Sequence, residues 1–310
     1  MVSSHPFSGM KSPIFEQVPL NNRTTLRMGG ATRWLAQPTN KDELSQLWSE
    51  LPEEVPSFLI GGGSNILVED AGFSGVAVDI RRNFNRIEPE KVESDDGGIL
   101  LNAEAGVSSS TLAHYARRHG LTGAEFLGGI PGTIGGAMRM NAGANGGDIA
   151  SILLEARILD REGNIQIWPV KQLGLAYRHS GLPAGSLFIS GRFKLQRGEP
   201  EDIREKMRQF NQQRKNSQPL NFASAGSTFK NPPKGPAAWK LIHEAGARGI
   251  SVGDAQVSEK HSNFLINRGR AKSANMLALI DKVRDRVMQK TGVSLELEVA
   301  ILGLNGFRSC

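Results

Sequence analysis

"FLIGGGSNILV", residues 58 to 68, is the stretch on which the reading of this chain turns. An apolar run breaks at Gly61, Gly62 and Gly63, passes through Ser64 and Asn65, and becomes apolar again at once. Glycine reaches positive φ without steric cost, and Ser and Asn are common turn residues, so one reading is a tight turn between two strands. The other is a phosphate cradle, in which missing side chains let a pyrophosphate approach backbone N–H groups that face one small concavity. Ile66 stands where the dinucleotide fingerprint needs its third glycine, and no G-x-x-x-x-G-K-[ST] occurs in the chain. A Rossmann site and a P-loop are both disfavoured.

Outward from this loop, short apolar runs alternate with helical patterns. "WLAQPTN" precedes the helical "KDELSQLWSEL", and "GVAVDI" follows the glycines, which together read as a small α/β unit. The pattern continues with the strand "GILLNAEAG" and an amphipathic helix through "SSTLAHYARRHG", capped by Ser109 or Ser110 and closed by Gly120. A second glycine-rich tract, "LTGAEFLGGIPGTIGGAMRMNAGANGGD" (121–148), is too long for a turn and too apolar for a linker. Beyond it, two strands flank "DREGN", another follows in "SLFISGRFKLQRG", and "PEDIREKMRQFNQQRKN" is a charged helix. The last third holds the helix "AAWKLIHEAG" ending at Gly246, strand-like runs in "SVGDAQVS" and "SNFLINR", and a helix over about 272–290. That helix sets Met276, Ile280, Val283 and Val287 on one stripe, with Gly292 as its stop.

Composition narrows the class. With 310 residues, 39% hydrophobic and 22% charged, the chain has the make-up of a soluble globular protein of two or three domains, and 36 glycines imply many tight turns or backbone-lined sites. Its single cysteine, Cys310, permits no intrachain disulfide and no cysteine-based metal cluster, which favours a reducing compartment. "MVSSHPFSGMKSPIF" lacks the regions of a signal peptide and no segment reaches the length of a membrane span, so a cytoplasmic protein is expected. The net charge of +6 suits a polyanionic small ligand; basic residues are scattered, and two tyrosines supply a base-stacking platform poorly, so nucleic acid is not expected. The six histidines are too dispersed to spell a metal site.

Six blocks carry a specific resemblance: "TTLRMGG" (24–30), "IGGGSN" (60–65), "GIPGTIGGAMRMNAGANGG" (129–147), "YRHS" (177–180), "SAGSTFKNP" (224–232) and "LELEV" (295–299). In order and approximate spacing, over about residues 18–303, the chain resembles the UDP-N-acetylenolpyruvoylglucosamine reductase family, in its shorter second class. The resemblance implies an α+β protein of α/β units: a two-part FAD-binding domain of the vanillyl-alcohol-oxidase/PCMH type plus an α+β substrate-binding domain. Its expected parts are residues 12–81 and 82–214 with 296–310 for the flavin, and 215–295 for the substrate.

The same resemblance implies non-covalent FAD, with Gly61, Gly62, Gly63, Ser64 and Asn65 around the pyrophosphate. Gly128, Gly129, Ile130, Pro131, Gly132, Thr133, Gly135, Gly136 and Ala137 would line the rest of the cofactor. NADPH would reduce the flavin, whose N5 then gives hydride to UDP-N-acetylglucosamine enolpyruvate. Adding hydride to the terminal carbon of an enol ether builds negative charge toward the carboxylate, so the site needs charge stabilisers and a proton donor. Arg178 and Glu298 are the implied stabilisers and Ser227 the proton donor, with Lys230 its expected support. Glu296 lies on the same face as Glu298 at period 2, and spacing does not choose between them. Tyr177, Arg214, Lys230, Asn231 and Gln256 are candidate substrate contacts. The family often has a basic residue where this chain has Ala300, which would shift anion binding to Arg214, Lys215 or Lys230. A monomer acting on small molecules is expected. The alternatives are another flavin oxidoreductase of the superfamily and a nucleotide-binding protein without chemistry.

Overall fold

The computed structural model describes residues 11–93 and 97–308. Most of the N-terminal stretch read for a leader, and Cys310, lie outside the described residues. The chain divides into two compact units, one of residues up to 14, 36–62 and 77–213, the other of residues 15–35, 63–76 and 214–310. Both mix helices with sheets, so the fold is α+β.

The first unit is built on an antiparallel sheet with the order Ile165–Pro169, Leu153–Leu159, Leu187–Arg197, Ile99–Glu104, Ile87–Glu93, and Leu121–Thr122 pairs with the C-terminal end of the long middle strand. Alternation sorts its faces: Leu101, Ala103, Phe193 and Leu195 enter the core, while Asn102 and Arg192 bind Glu90 on the other face at 2.7–2.8 Å. Four helices start in this unit: α1 (Lys41–Glu50), α2 (Ser109–Arg118), α3 (Ile134–Arg139) and α4 (Pro200–Ser217). α1 is capped by Asn40, whose side chain accepts from Glu43 N at 2.9 Å, and it buries Leu44, Leu47 and Trp48. α2 contributes Leu112 and Ala116 to the core, α3 Ile134 and Met138, and α4 Ile203 and Met207.

In the second unit, Ala223–Ser227, Phe264–Asn267, Ala255–Val257 and Ser251–Val252 form an antiparallel sheet in that order. α5 (Ala238–Glu244) and α6 (Ser273–Thr291) share a core with it through Leu241, Ile242, Met276, Ile280, Val283 and Val287. α6 takes its N-terminal partner from far away in sequence: the Asp70 carboxylate accepts from Ser273 N and Ala274 N at 2.9 and 3.2 Å. It stops at Gly292, left-handed at φ 69°, as expected. A three-stranded sheet sets Ile66–Val68 parallel to Ala300–Gly303, with Gly306–Phe307 beyond. A further sheet has the order Ile14–Pro19, Ala31–Ala36, Phe73–Asp79, Ser57–Ile60. Among the described residues, no helix is long and apolar enough to cross a membrane.

Three elements differ from the sequence reading. α2 is capped by Ser108 and not by Ser109 or Ser110, because it is the Ser108 hydroxyl that accepts from Thr111 N at 3.0 Å. The charged stretch Ile87–Glu93, with Pro89 inside it, is an edge strand, where a missing N–H is tolerated. α3 forms despite Gly135 and Gly136, since Ile134 N and Gly135 N bond to Val107 O and Ala105 O at 2.8 and 2.9 Å. Tertiary bonds override poor helix propensity there.

Candidate active site

Gly62 and Gly132 answer part of what the bare backbone is for. A Cβ on Gly62 would lie 2.6 Å from Gly132 Cα, and one on Gly61 would lie 2.6 Å from Thr133 Oγ1, so within the first unit the two glycine-rich loops meet main chain to main chain. The chain passes into the second unit between Gly62 and Gly63. Gly63 is left-handed at φ 60°, and a Cβ there would come within 2.8 Å of Thr24 Cα.

Each of these loops has a buried hydroxyl nearby that lacks a hydrogen-bond partner. Thr24 Oγ1 lies beside Gly63, and Ser109 Oγ belongs to the residue whose N–H donates to Gly132 O at 3.0 Å. Buried hydroxyls in folded proteins are satisfied by protein, water or ligand. Side-chain-free backbone with unsatisfied hydroxyls beside it has the chemistry of a phosphate cradle, the part for which Gly61–Asn65 and Gly128–Ala137 are candidates.

Glu125 holds the start of the second loop. Only 4% exposed, its carboxylate accepts from Thr122 Oγ1 at 2.6 Å and Gly123 N at 2.8 Å, and pairs with Lys206 Nζ at 3.4 Å. Burial pushes this carboxyl up, and the bonds from Thr122 and Gly123 with the Lys206 charge outweigh it, leaving the group below the ordinary glutamate range. Further along, Pro131 and Gly136 are exposed and Thr133 is buried.

Arg178 lies in the first unit, in a turn closed by reciprocal main-chain bonds between Ala176 and His179 at 3.1 Å. Its φ is 55°, an uncommon conformation for a non-glycine residue and one held where surroundings over-determine it. The guanidinium carbon is 5.1 Å from the centre of the Tyr177 ring, which is itself exposed. From α3, Arg139 Nη1 donates to Leu182 O at 3.1 Å, tying the chain after Arg178 to the helix that follows the second glycine loop.

The segments that carry Ser227 and Glu298 are bonded to each other in the second unit, through Thr228 and Phe229. The strand Ala223–Ser227 slips register between Ser224 and Ser227 against its neighbour, with Gly226 left-handed at φ 77°, and resumes with Ser227 opposite Phe264. Such a bulge re-aims the residue that follows it. Glu298 N then donates to Thr228 O at 2.9 Å, Leu297 bridges Phe229, and Lys230 N donates to Glu296 O at 2.8 Å. "LELEV" therefore joins its neighbour by a single bridge, though Leu295, Leu297 and Val299 are buried in alternation. Asn65 Nδ2 donates to Glu298 O at 3.0 Å, and Asn65 O accepts from Ala300 N at 3.0 Å. The two glutamates are distinguished here: Glu296 is 65% exposed and holds Lys230 Nζ at 2.6 Å, while Glu298 is half-buried.

The candidate substrate contacts fall in four places. Gln256 lines an open groove of about 640 Å³ in the second unit, together with Lys215, Phe222, Lys260 and Arg268. Arg214, on the last turn of α4, donates from Nε to Gln218 Oε1 at 3.1 Å, and burial pulls its pKa below the usual value. Asn231 Oδ1 accepts from Ala238 N at 3.0 Å at the start of α5, and Lys230 is held by Glu296. Tyr177 belongs to the other unit. No motif pointed to Lys260, Arg268 or Phe222; "QPLNF" and "SEKHS" carry no spacing signal, and only the sheet brings them to one groove.

Comparison with known proteins agrees in both halves. The FAD binding domain family matches residues 32–167, and the C-terminal domain of UDP-N-acetylenolpyruvoylglucosamine reductase matches residues 218–302. The UDP-N-acetylenolpyruvoylglucosamine reductase of Magnetococcus marinus is 49% identical over 310 residues, covering 100% of this chain and 99% of the relative. The chain belongs to the UDP-N-acetylenolpyruvoylglucosamine reductase family. The reductase of Gluconobacter oxydans is 40% identical, covering 97% of this chain and 96% of its own. Among solved structures, the family's reductase from Thermus caldophilus superimposes with a TM-score of 0.79 at 34% identity, covering 94% of this chain and 99% of that one.

Proposed function

We propose that this chain is an NADPH-dependent flavoenzyme that reduces UDP-N-acetylglucosamine enolpyruvate to UDP-N-acetylmuramate in peptidoglycan precursor synthesis. The observation that carries this reading is the bond between the segments of Ser227 and Glu298, made by Glu298 N to Thr228 O, with Asn65 of the glycine loop bonded to the main chain of Glu298. Gly61 to Asn65 and Gly128 to Ala137 hold FAD without a covalent bond. Bound FAD would supply the hydride, and NADPH would replenish it.

The residues of the chain manage the charge and the proton. Hydride addition to the terminal CH2 leaves negative charge shared between the carbon bearing the ether oxygen and its carboxylate. Arg178 offers a fixed positive charge to that developing enolate, and Glu298, in its protonated form, a hydrogen bond. Ser227 Oγ–H delivers the proton to the ether carbon, completing the lactyl group. Lys215, Lys260 and Arg268 line the groove beside Gln256 and suit the nucleoside diphosphate. Tyr177, Arg214, Lys230 and Asn231 complete the substrate contacts we assign.

In this reading residues 12–81 and 82–214 carry the flavin and 215–295 the substrate. Segment 296–310 goes with the flavin part, and the parallel pairing of Ala300–Gly303 with Ile66–Val68, directly after the glycine loop, supports that assignment. The enzyme works as a cytoplasmic monomer on small molecules.

The test is the absorbance of the purified protein during anaerobic addition of NADPH and then UDP-N-acetylglucosamine enolpyruvate. Flavin bands that bleach with NADPH and return with the second addition are expected. Bands that stay bleached would reject the substrate, and absence of bands after FAD is supplied would reject the cofactor.

A further inference from the structure

Asn263, which no motif singled out, is 3% exposed and committed to a single stretch of main chain. Its Oδ1 accepts from Phe229 N at 3.0 Å and its Nδ2 donates to Phe229 O at 2.8 Å. Its own carbonyl accepts from Thr228 N at 2.8 Å. Three bonds thus grip the two residues directly after Ser227.

The same two residues hold the glutamate segment from the other side. Thr228 O accepts from Glu298 N at 2.9 Å, and Phe229 bridges Leu297. The named strand ends at Ser227, opposite Phe264, so the next two residues depend on these bonds. Phe229 is fully buried, so its N–H and C=O must find partners inside the protein. A primary amide answers both at once, offering one acceptor and one donor as a neighbouring strand would. A carboxylate of the same shape would offer acceptors only.

We propose that Asn263 is a positioning residue of the reductase centre, setting the offset of Ser227 against Glu298 through the main chain of Thr228 and Phe229. The proposal rests on the reaction proposed above. It predicts an effect confined to the step in which the substrate accepts hydride and proton, with flavin binding and reduction by NADPH untouched.

The experiment compares wild type, Asn263→Ala, Ser227→Ala and the double variant in anaerobic half-reactions. Asn263→Ala should keep the flavin spectrum and the NADPH rate, and slow flavin reoxidation by UDP-N-acetylglucosamine enolpyruvate by about 10- to 100-fold, the scale of an ångström-sized misplacement. The substrate KM should stay within about threefold, and in the Ser227→Ala background the second substitution should cost less than about threefold, since residues acting as a unit are non-additive. If Asn263→Ala does not fold, Asn263→Asp, which keeps the bond from Phe229 N, takes its place with the same readings. Wild-type reoxidation in the Asn263 variant, or losses that multiply in the double variant, overturns the proposal alone. A wild-type protein that the substrate fails to reoxidise overturns the reaction as well.

Discussion

The side-chain amide of Asn65 donates to the main-chain carbonyl of Glu298 at 3.0 Å, across 233 residues of sequence. Within the second unit the end of the glycine loop is thus bonded to the glutamate of "LELEV", and Ala300 N donating to Asn65 O adds a second bond. Asn65→Asp keeps the size and removes the donor. With the variant saturated with FAD, reoxidation of reduced flavin by the enolpyruvyl substrate should slow by about tenfold or more. Stopped-flow absorbance checks this, and an unchanged rate would remove the role of that bond.

Glu296 and Glu298 can be separated directly. Glu296 forms an exposed ion pair with Lys230, a type of contact worth about 0–1 kcal/mol. Glu296→Gln should leave turnover within about threefold and melting nearly unchanged, whereas Glu298→Gln should lower turnover by about 100-fold or more, the scale of removing one group from a charge-stabilising site. Steady-state assays of the two variants decide, and equal losses would reject the assignment.

Gly62→Ala tests the contact between the loops. The added methyl meets the backbone of Gly132, which cannot rotate away as a side chain can. Overpacking of this kind costs about 1–3 kcal/mol. A lower melting temperature and flavin released on gel filtration are expected; full stability with retained flavin would show that the loops separate freely.

Acid stability reports on Glu125. Its folded pKa lies below the ordinary value, so its stabilising contribution is present above the unfolded pKa and is lost as pH falls through the folded one. Denaturant midpoints measured from neutral pH downward should drop, and Glu125→Gln should lower stability at neutral pH while flattening that acid limb. Parallel curves for the two proteins would deny Glu125 any share in it.

The fold class and most helices could be read in the sequence because their signals are local: the Met276 to Val287 stripe and the Gly292 stop both stand in the structure. The glycine loops were equally visible, yet what they pack against was not. Gly62 needs its bare backbone because of Gly132, a partner no local pattern names. The strand Ile87–Glu93 was hidden by its charges and Pro89, which are tolerated only because it lies at a sheet edge. Period 2 could not choose between Glu296 and Glu298, since both point to one face; the Lys230 ion pair distinguishes them in space. Lys260 and Arg268 reach the groove from separate segments, and Asn263 serves main chain 34 residues away, so none of the three had a sequence signature.

The parallel pairing of Ile66–Val68 with Ala300–Gly303 bears on how the protein is made. At ribosomal speeds of about 5–20 residues per second, the 233 residues between Asn65 and Glu298 take on the order of ten to fifty seconds to appear. Throughout that interval the strand after the glycine loop waits with an unpaired edge, open to the wrong neighbour. The synthesis of Ala300–Gly303, and not the emergence of "GGGSN", sets the moment at which this part of the molecule can close.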